Sequence, residues 1–269
     1  MLDRMRFEAI RSRASLTSIV GGALVALLLG ACDSGAAEVK VATATATAAP
    51  TKATTLSATP TAAPANPVAA CVAAKKTADA TLFRLVDKQR ALPDGYVPPD
   101  LVGLPDRLAV PGFPGQQMRR DPADAAVKLL DAAQAQGLNL RAKSAYRSYA
   151  TQITTFKFWV DLHGLEQAKR ESAEPGHSEH QMGTVVDVAG ATTGWELEPP
   201  FGDSVEGKWV LAHAHEFGFA ISYPKDGEPV TGYYYEPWHL RYLGTTCSKA
   251  WHDSGMILVK FLEAVAAAG

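Results

Sequence analysis

PGHSEHQMGTVVDV, Pro175 to Val188, is the stretch that decides how this chain is read. Its second half, Thr184 to Val188, is a short apolar run of the kind that forms a buried strand. Asp187 breaks that run. A carboxylate among valines is costly to bury unless it is paired or bound to a metal. His180 lies upstream, and Gly183 between the two allows a tight turn from loop into strand. The pair therefore reads in two ways: His180 and Asp187 hold a metal, or Asp187 ends its strand with a salt bridge or a loop cap.

A second chemical segment follows downstream. GYYYEPWHLRYLG, Gly232 to Gly244, crowds an acid, aromatics, a histidine and an arginine together. His239 can supply a third ligand, and catalytic zinc commonly takes three protein ligands plus water. Glu236, three residues earlier, can act as the general base toward a metal-activated water. The competing reading is an acid and a histidine partnered on a surface, with Trp238 filling the core. A third piece, SAYRSYATQ, Ser144 to Gln152, places Arg147 at a strand-to-helix junction. An arginine there can clamp a carboxylate with two hydrogen bonds, or bridge an ordinary acid at the core edge. Tyr146 and Tyr149 either shape a pocket or pack.

Around these segments the pattern is α+β, with helices packed on a small, mainly antiparallel sheet and the site in a surface cleft. Ala125, Ala126, Leu129, Leu130 and Ala133 recur at helical spacing and predict a helix over Asp121 to Gln136, stopped at Gly137. Leu138 to Ala145 predicts a strand, and Tyr149 to Leu162 and Leu165 to Ser172 predict helices. Val205 to Phe217 predicts another helix, ending at Gly218. Phe219 to Tyr223 and Val230 to Tyr235 read as short strands. Lys76 to Lys88 reads as a first helix and Gly255 to Val265 as a last one. LPDGYVPPDLVGLP, Leu92 to Pro105, is dense in proline and glycine and reads as a surface loop.

Three motifs in this order resemble the VanY-like D-alanyl-D-alanine carboxypeptidases, zinc peptidases that trim peptidoglycan stem peptides. The family pattern Ser-x-His-x-x-Gly-x-Ala-x-Asp is matched by Ser178, His180, Gly183 and Asp187, with Val185 in place of the alanine. The pattern Glu-x-x-His is matched by Glu236 and His239, and Tyr-Arg-Ser by Tyr146, Arg147 and Ser148, with Gln152 following. LPDGYVPPDL and WVLAHAHEFGFAISYPKD, Trp209 to Asp226, are also similar to family segments. The likeness runs from about Leu85 to Gly244. It implies that His180, Asp187 and His239 bind Zn²⁺ and that Glu236 activates water and then protonates the leaving amine. Arg147 is implied to hold substrate, either at the scissile carbonyl or at the terminal carboxylate. Ser178, Gln152 and Tyr146 are implied to contact substrate, and Trp238 and Tyr242 to form the pocket wall and orient His239. The activity implied is removal of the C-terminal D-alanine from a stem peptide. L,D-carboxypeptidase, D,D-dipeptidase and endopeptidase activities share the ligand set, and a non-catalytic peptidoglycan-binding lipoprotein is the alternative outside enzymes.

The remaining sequence bears on location. The chain has 269 residues and a formal net charge of -2, which is not the basic excess of a nucleic-acid binder. Arg4, Arg6, Arg11 and Arg13 precede a short apolar run, Ile19 to Ala31, too short for the roughly 20 residues of a bilayer span. The run closes on LGAC, Leu29 to Cys32, which resembles a bacterial lipobox. Residues 1–31 therefore read as a lipoprotein signal peptide and Cys32 as the lipidated residue. The expectation is an exported, membrane-anchored monomer facing the periplasm or cell wall. Residues 32–70, rich in Ala, Thr and Pro, read as a tether without a core. Residues 71–269 are expected to form the domain that the resemblance implies to be a zinc carboxypeptidase. Cys71 and Cys247 remain, an even pair that in an exported protein is expected to form a disulfide.

Overall fold

The computed structural model describes residues 66–269. The expected signal peptide, the lipobox at Cys32 and residues 32–65 of the expected tether lie outside the described residues. The first element is helix α1, Pro67–Lys75, where Asn66 accepts a hydrogen bond from the Ala69 N–H and Pro67 occupies the first turn. Its first four residues fall within the stretch expected to be tether. They are helical because an alanine-rich segment has high helix propensity and here buries Cys71.

The expected helix over Lys76 to Lys88 is not formed. A single 3₁₀ turn, Ala80–Phe83, stands there instead. Asp79 caps it by accepting from the Thr81 N–H at 2.8 Å, and Arg119 pairs with Asp79 at 2.5 Å. These bonds compete with helix continuation. Strands β1, Leu101–Gly103, and β2, Gln117–Arg119, form a small antiparallel pair. β1 lies inside the stretch expected to be only loop.

Helix α2, Arg120–Ala135, follows with Ala125, Ala126, Leu129, Leu130 and Ala133 all buried, and Gly137 takes a positive φ just beyond it. Strand β3, Leu140–Ser144, leads to helices α3, Tyr149–His163, and α4, Leu165–Glu171. Strand β4, Val185–Gly190, is buried along its whole length. Helix α5, Val205–His213, continues as a 3₁₀ turn to Phe217, and Gly218 at φ 94° turns the chain into strand β5, Phe219–Ile221.

Val230 to Tyr235 does not form the expected strand. Pro229 starts one helical turn, α6, Glu228–Thr231, and Gly232 in the left-handed region ends it. Strand β6 is His239–Tyr242, and helices α7, Thr245–Ser254, and α8, Leu258–Ala268, complete the chain.

The main sheet has the order β3-β4-β6-β5, antiparallel throughout. The architecture is α+β, as the sequence pattern predicts. The principal core lies between this sheet and helices α2 and α5. A second core gathers α1, α7 and α8 around Leu82, Phe83, Ala220 and Leu243. The expected disulfide is present inside it: Cys71 and Cys247 are bonded and buried. The bond ties the start of the domain to its C-terminal helices across 176 residues of sequence.

Candidate active site

The site is built on the two central strands. Asp187 of β4 and His239 of β6 are direct cross-strand partners. Ser144 of β3 stands opposite Asp187 on the other side, after an irregularity in the register that follows Ala142. Such an irregularity re-aims the chain at the end of a strand, and the residues that leave it are Ala145, Tyr146 and Arg147. His180 arrives from the 3₁₀ turn Glu179–Met182, which Gly183 closes at φ 69°. A Cβ at Gly183 would lie 3.0 Å from Arg119 Cγ and 3.1 Å from Leu101 Cδ2. The left-handed backbone favours glycine there, and any larger residue would also push these side chains back by a few tenths of an ångström.

His180 and the segment after β3 hold each other in place. The Arg147 N–H donates to the His180 carbonyl at 3.3 Å, and His180 Nδ1 lies 2.7 Å from the Ala145 carbonyl. A carbonyl only accepts, so Nδ1 carries the proton and Nε2 is left with a free lone pair. For His239 the nitrogens are reversed. Nε2 is 3.0 Å from Glu179 Oε2, which leaves Nδ1 to face Asp187 at 3.3 Å. His180 Nε2 is 3.2 Å from Asp187 Oδ2, and the two imidazoles meet edge to face.

One atom from each of His180, Asp187 and His239 lies within 4.8 Å of the other two, and all three residues are buried. Asp187 Oδ1 is buried without a hydrogen-bond partner. Two imidazoles whose outer nitrogens are engaged, with a carboxylate whose Oδ1 accepts no hydrogen bond, present the donor set that a divalent metal such as zinc takes once its histidine ligands are neutral. The residues present fit that group.

The electrostatics separate the carboxylates. Without a metal, burial pushes Asp187 up, but attraction to the flanking His180 and His239, when they carry a second proton, outweighs it, and its carboxyl is held below the usual range. Burial pushes Glu236 up to about 7, with Asp187 adding to the effect against the pull of His239 and Arg147. Glu236 Oε2 lies 3.4 Å from His239 Nδ1, on the side of the free lone pair. A carboxylate tuned toward neutrality beside a metal-type site has the protonation behaviour of a general base. Burial drives Arg147 below its ordinary value, and its Nε has no protein partner.

A cleft of about 940 Å³ opens onto this group, lined by Arg147, Asp187, Glu236 and Trp238 together with Trp159 and Tyr235. Of the residues singled out in the sequence, His180, Asp187, His239, Glu236 and Arg147 converge, and Trp238 forms wall. Gln152 is fully buried, and its Nε2 donates to Ser172 Oγ at 3.2 Å and to the Ala173 carbonyl at 2.6 Å. It braces the backbone behind the cleft. Ser178 is buried at the entry to the 3₁₀ turn. Tyr146 is half-buried, with its N–H on the Gln117 carbonyl.

Tyr242 does not orient His239. It alternates with His239 along β6, so the two side chains leave opposite faces. Tyr242 packs on Phe219 in the core, 5.4 Å between ring centres. Orientation of His239 comes instead from Glu179 and from the Tyr223 ring at 4.7 Å. Glu179, Tyr223 and Arg241 were not singled out in the sequence. Strand parity is the signal that finds Arg241: once His239 is placed on a strand, residue 241 shares its face.

The model of the family VanY: D-alanyl-D-alanine carboxypeptidase matches residues 115–245. The chain is 42% identical over 186 residues to the putative carboxypeptidase YodJ of Bacillus subtilis (strain 168), covering 68% of each. It is similar to the solved structure of the LdcB LD-carboxypeptidase, at 42% identity and TM-score 0.63, covering 68% of this chain and 86% of that one. It is also similar to the vancomycin-resistance D,D-pentapeptidase VanY, solved as a mutant in complex with Zn(II), at 25% identity and TM-score 0.55. That match covers 68% of this chain and 99% of the other. Fold and site thus define a carboxypeptidase. More particularly, the chain belongs to the VanY family of D-alanyl-D-alanine carboxypeptidases.

Proposed function

We propose that the protein is a zinc-dependent carboxypeptidase that releases the C-terminal D-alanine of peptidoglycan stem peptides. The observation that carries this reading is the convergence of His180, Asp187 and His239 within 4.8 Å, with Glu236 beside them. Zinc held there would polarise the scissile carbonyl and acidify a water. Glu236 takes the proton of that water and returns it to the leaving amine. Arg147, cationic at the cleft wall, stabilises negative charge on the substrate, at the scissile oxygen or the terminal carboxylate. Glu236, buried with its Oε2 3.4 Å from His239 Nδ1, favours turnover over a peptidoglycan binder that only holds its ligand.

Between the two bonds open to such an enzyme, likeness favours the L,D bond of a tetrapeptide. The LD-carboxypeptidase is 42% identical to this chain, whereas the D,D-pentapeptidase is 25% identical. The D,D reading, expected from the sequence motifs, is supported by the family description and by that same zinc-bound relative. Mass spectrometry of tetrapeptide and pentapeptide muropeptides incubated with the zinc-loaded protein separates them. Loss of alanine from the tetrapeptide alone supports the L,D reading. Loss from the pentapeptide alone moves the assignment to the D,D bond.

The same reading includes export and lipid attachment at Cys32. The buried Cys71–Cys247 disulfide supports an oxidising compartment. Metabolic labelling with a fatty-acid analogue tests the anchor, and a Cys32→Ala protein that is labelled as strongly as the natural one would contradict it.

A further inference from the structure

We infer that Glu179 is a positioning residue for the metal site: it fixes His239 in the tautomer a metal requires, and Arg241 ties it to the N-terminal segment. The inference rests on the metal reading of His180, Asp187 and His239.

Glu179 is the chain neighbour of His180, yet its carboxylate lies behind the other histidine. Oε2 accepts from His239 Nε2 at 3.0 Å and from Ser222 Oγ at 2.6 Å, while Oε1 accepts from Arg241 Nη1. Glu179, Ser222, His239 and Arg241 are 6%, 4%, 3% and 1% exposed. An ion pair this deeply buried carries a large desolvation penalty and is weak support for stability alone. What it achieves geometrically is specific. A carboxylate with three donors cannot rotate away, so His239 Nε2 must carry its proton and Nδ1 must face Asp187.

Arg241 is itself anchored. Its Nη2 donates to the Leu82 carbonyl at 3.1 Å and to the Arg84 carbonyl at 2.6 Å. Both carbonyls lie outside residues 115–245, the part that the family model matches. They belong to the segment packed with α1, α7, α8 and the disulfide. The second core thus reaches the site through residues 82–84, Arg241, Glu179 and His239.

The test is zinc affinity of the full protein, by competition with a chromogenic chelator, beside nitrogen-15 NMR of the zinc-loaded imidazoles. Wild type is expected to show His239 protonated at Nε2 and bound through Nδ1. Glu179→Gln, folded by circular dichroism, is expected to bind zinc about 10–100-fold more weakly. A purely structural role would lower thermal stability and leave the zinc affinity of the folded variant unchanged. That result, or a wild-type His239 protonated at Nδ1, would overturn the inference while the metal site stood. A wild-type protein that takes up no zinc would overturn the metal reading and this inference with it. Where Glu179→Gln fails to fold, Glu179→Asp makes the same affinity comparison, and a wild-type His239 protonated at Nδ1 still overturns the inference by itself.

Discussion

Asp187 and His239 face each other across adjacent antiparallel strands, with His239 Nδ1 3.3 Å from Asp187 Oδ1. Two ligands of the candidate site are therefore placed by backbone pairing in the middle of a buried sheet, and only His180 comes from a turn. A site whose ligands stand on paired strands is held more precisely than one on loops. Single substitution of His180 or His239 by Ala, or Asp187 by Asn, should abolish stoichiometric zinc binding. Elemental analysis of the purified proteins checks this, and near-equimolar zinc in all three variants would contradict the ligand assignment.

Glu236 should be separable from the ligands. Glu236→Gln retains the shape of the side chain and removes the proton acceptor. It should lower kcat by about 10²–10⁴-fold, the usual worth of general base catalysis, while zinc content stays near that of wild type. Parallel rate and metal measurements make the comparison.

The pH dependence follows from the same residue. Burial pushes Glu236 up to about 7 in the metal-free protein, and a bound cation pulls it down. The base acts as carboxylate, so kcat/KM should rise with pH along the acid limb, with a midpoint at or below about 7. An acid limb with its midpoint well above that value would point to another base.

How legible all this was in the sequence differs by element. Helix α2 was readable because its apolar stripe is regular and a glycine ends it. The site residues were readable because Asp187 is out of place in an apolar strand and because the spaced motifs resemble a known family. Strand β6 was not readable. Its residues, His239, Leu240, Arg241 and Tyr242, include two polar side chains that point inward toward buried partners, so polarity no longer marks the outside. That inversion hid Glu179 and Arg241 and put Tyr242 on the wrong face. The 3₁₀ turn at Ala80–Phe83 depends on Asp79 and its pairing with Arg119, distant in sequence, and no local pattern carries that.

The disulfide should contribute to stability. Cys71 and Cys247 close a long stretch of chain, and the chain-entropy account gives about 2–5 kcal/mol for such links. The double Ser variant should melt at a clearly lower temperature than the oxidised wild type, in calorimetry without reductant. Equal melting temperatures would show that the packing of α1 against α7 and α8 suffices.

Acid should weaken the domain partly through Asp100. The hydrogen bond from Arg119 at 2.7 Å holds its carboxyl below the usual carboxylate range. A pKa lower in the folded than in the unfolded chain gives stability that is present above the unfolded value, about 3.9. It is lost as pH falls through the folded value. Asp100→Asn should therefore lose less melting temperature between pH 7 and pH 3 than wild type does, and an equal or greater loss would contradict the role of this pair.

The most direct test of the central claim is a single incubation. Zinc-loaded protein is mixed with tetrapeptide and pentapeptide muropeptides, beside metal-free protein and Glu236→Gln. Release of one alanine by the loaded wild type, with none by the other two, is the expected result. No release from either peptide by a protein carrying one zinc would contradict the carboxypeptidase account.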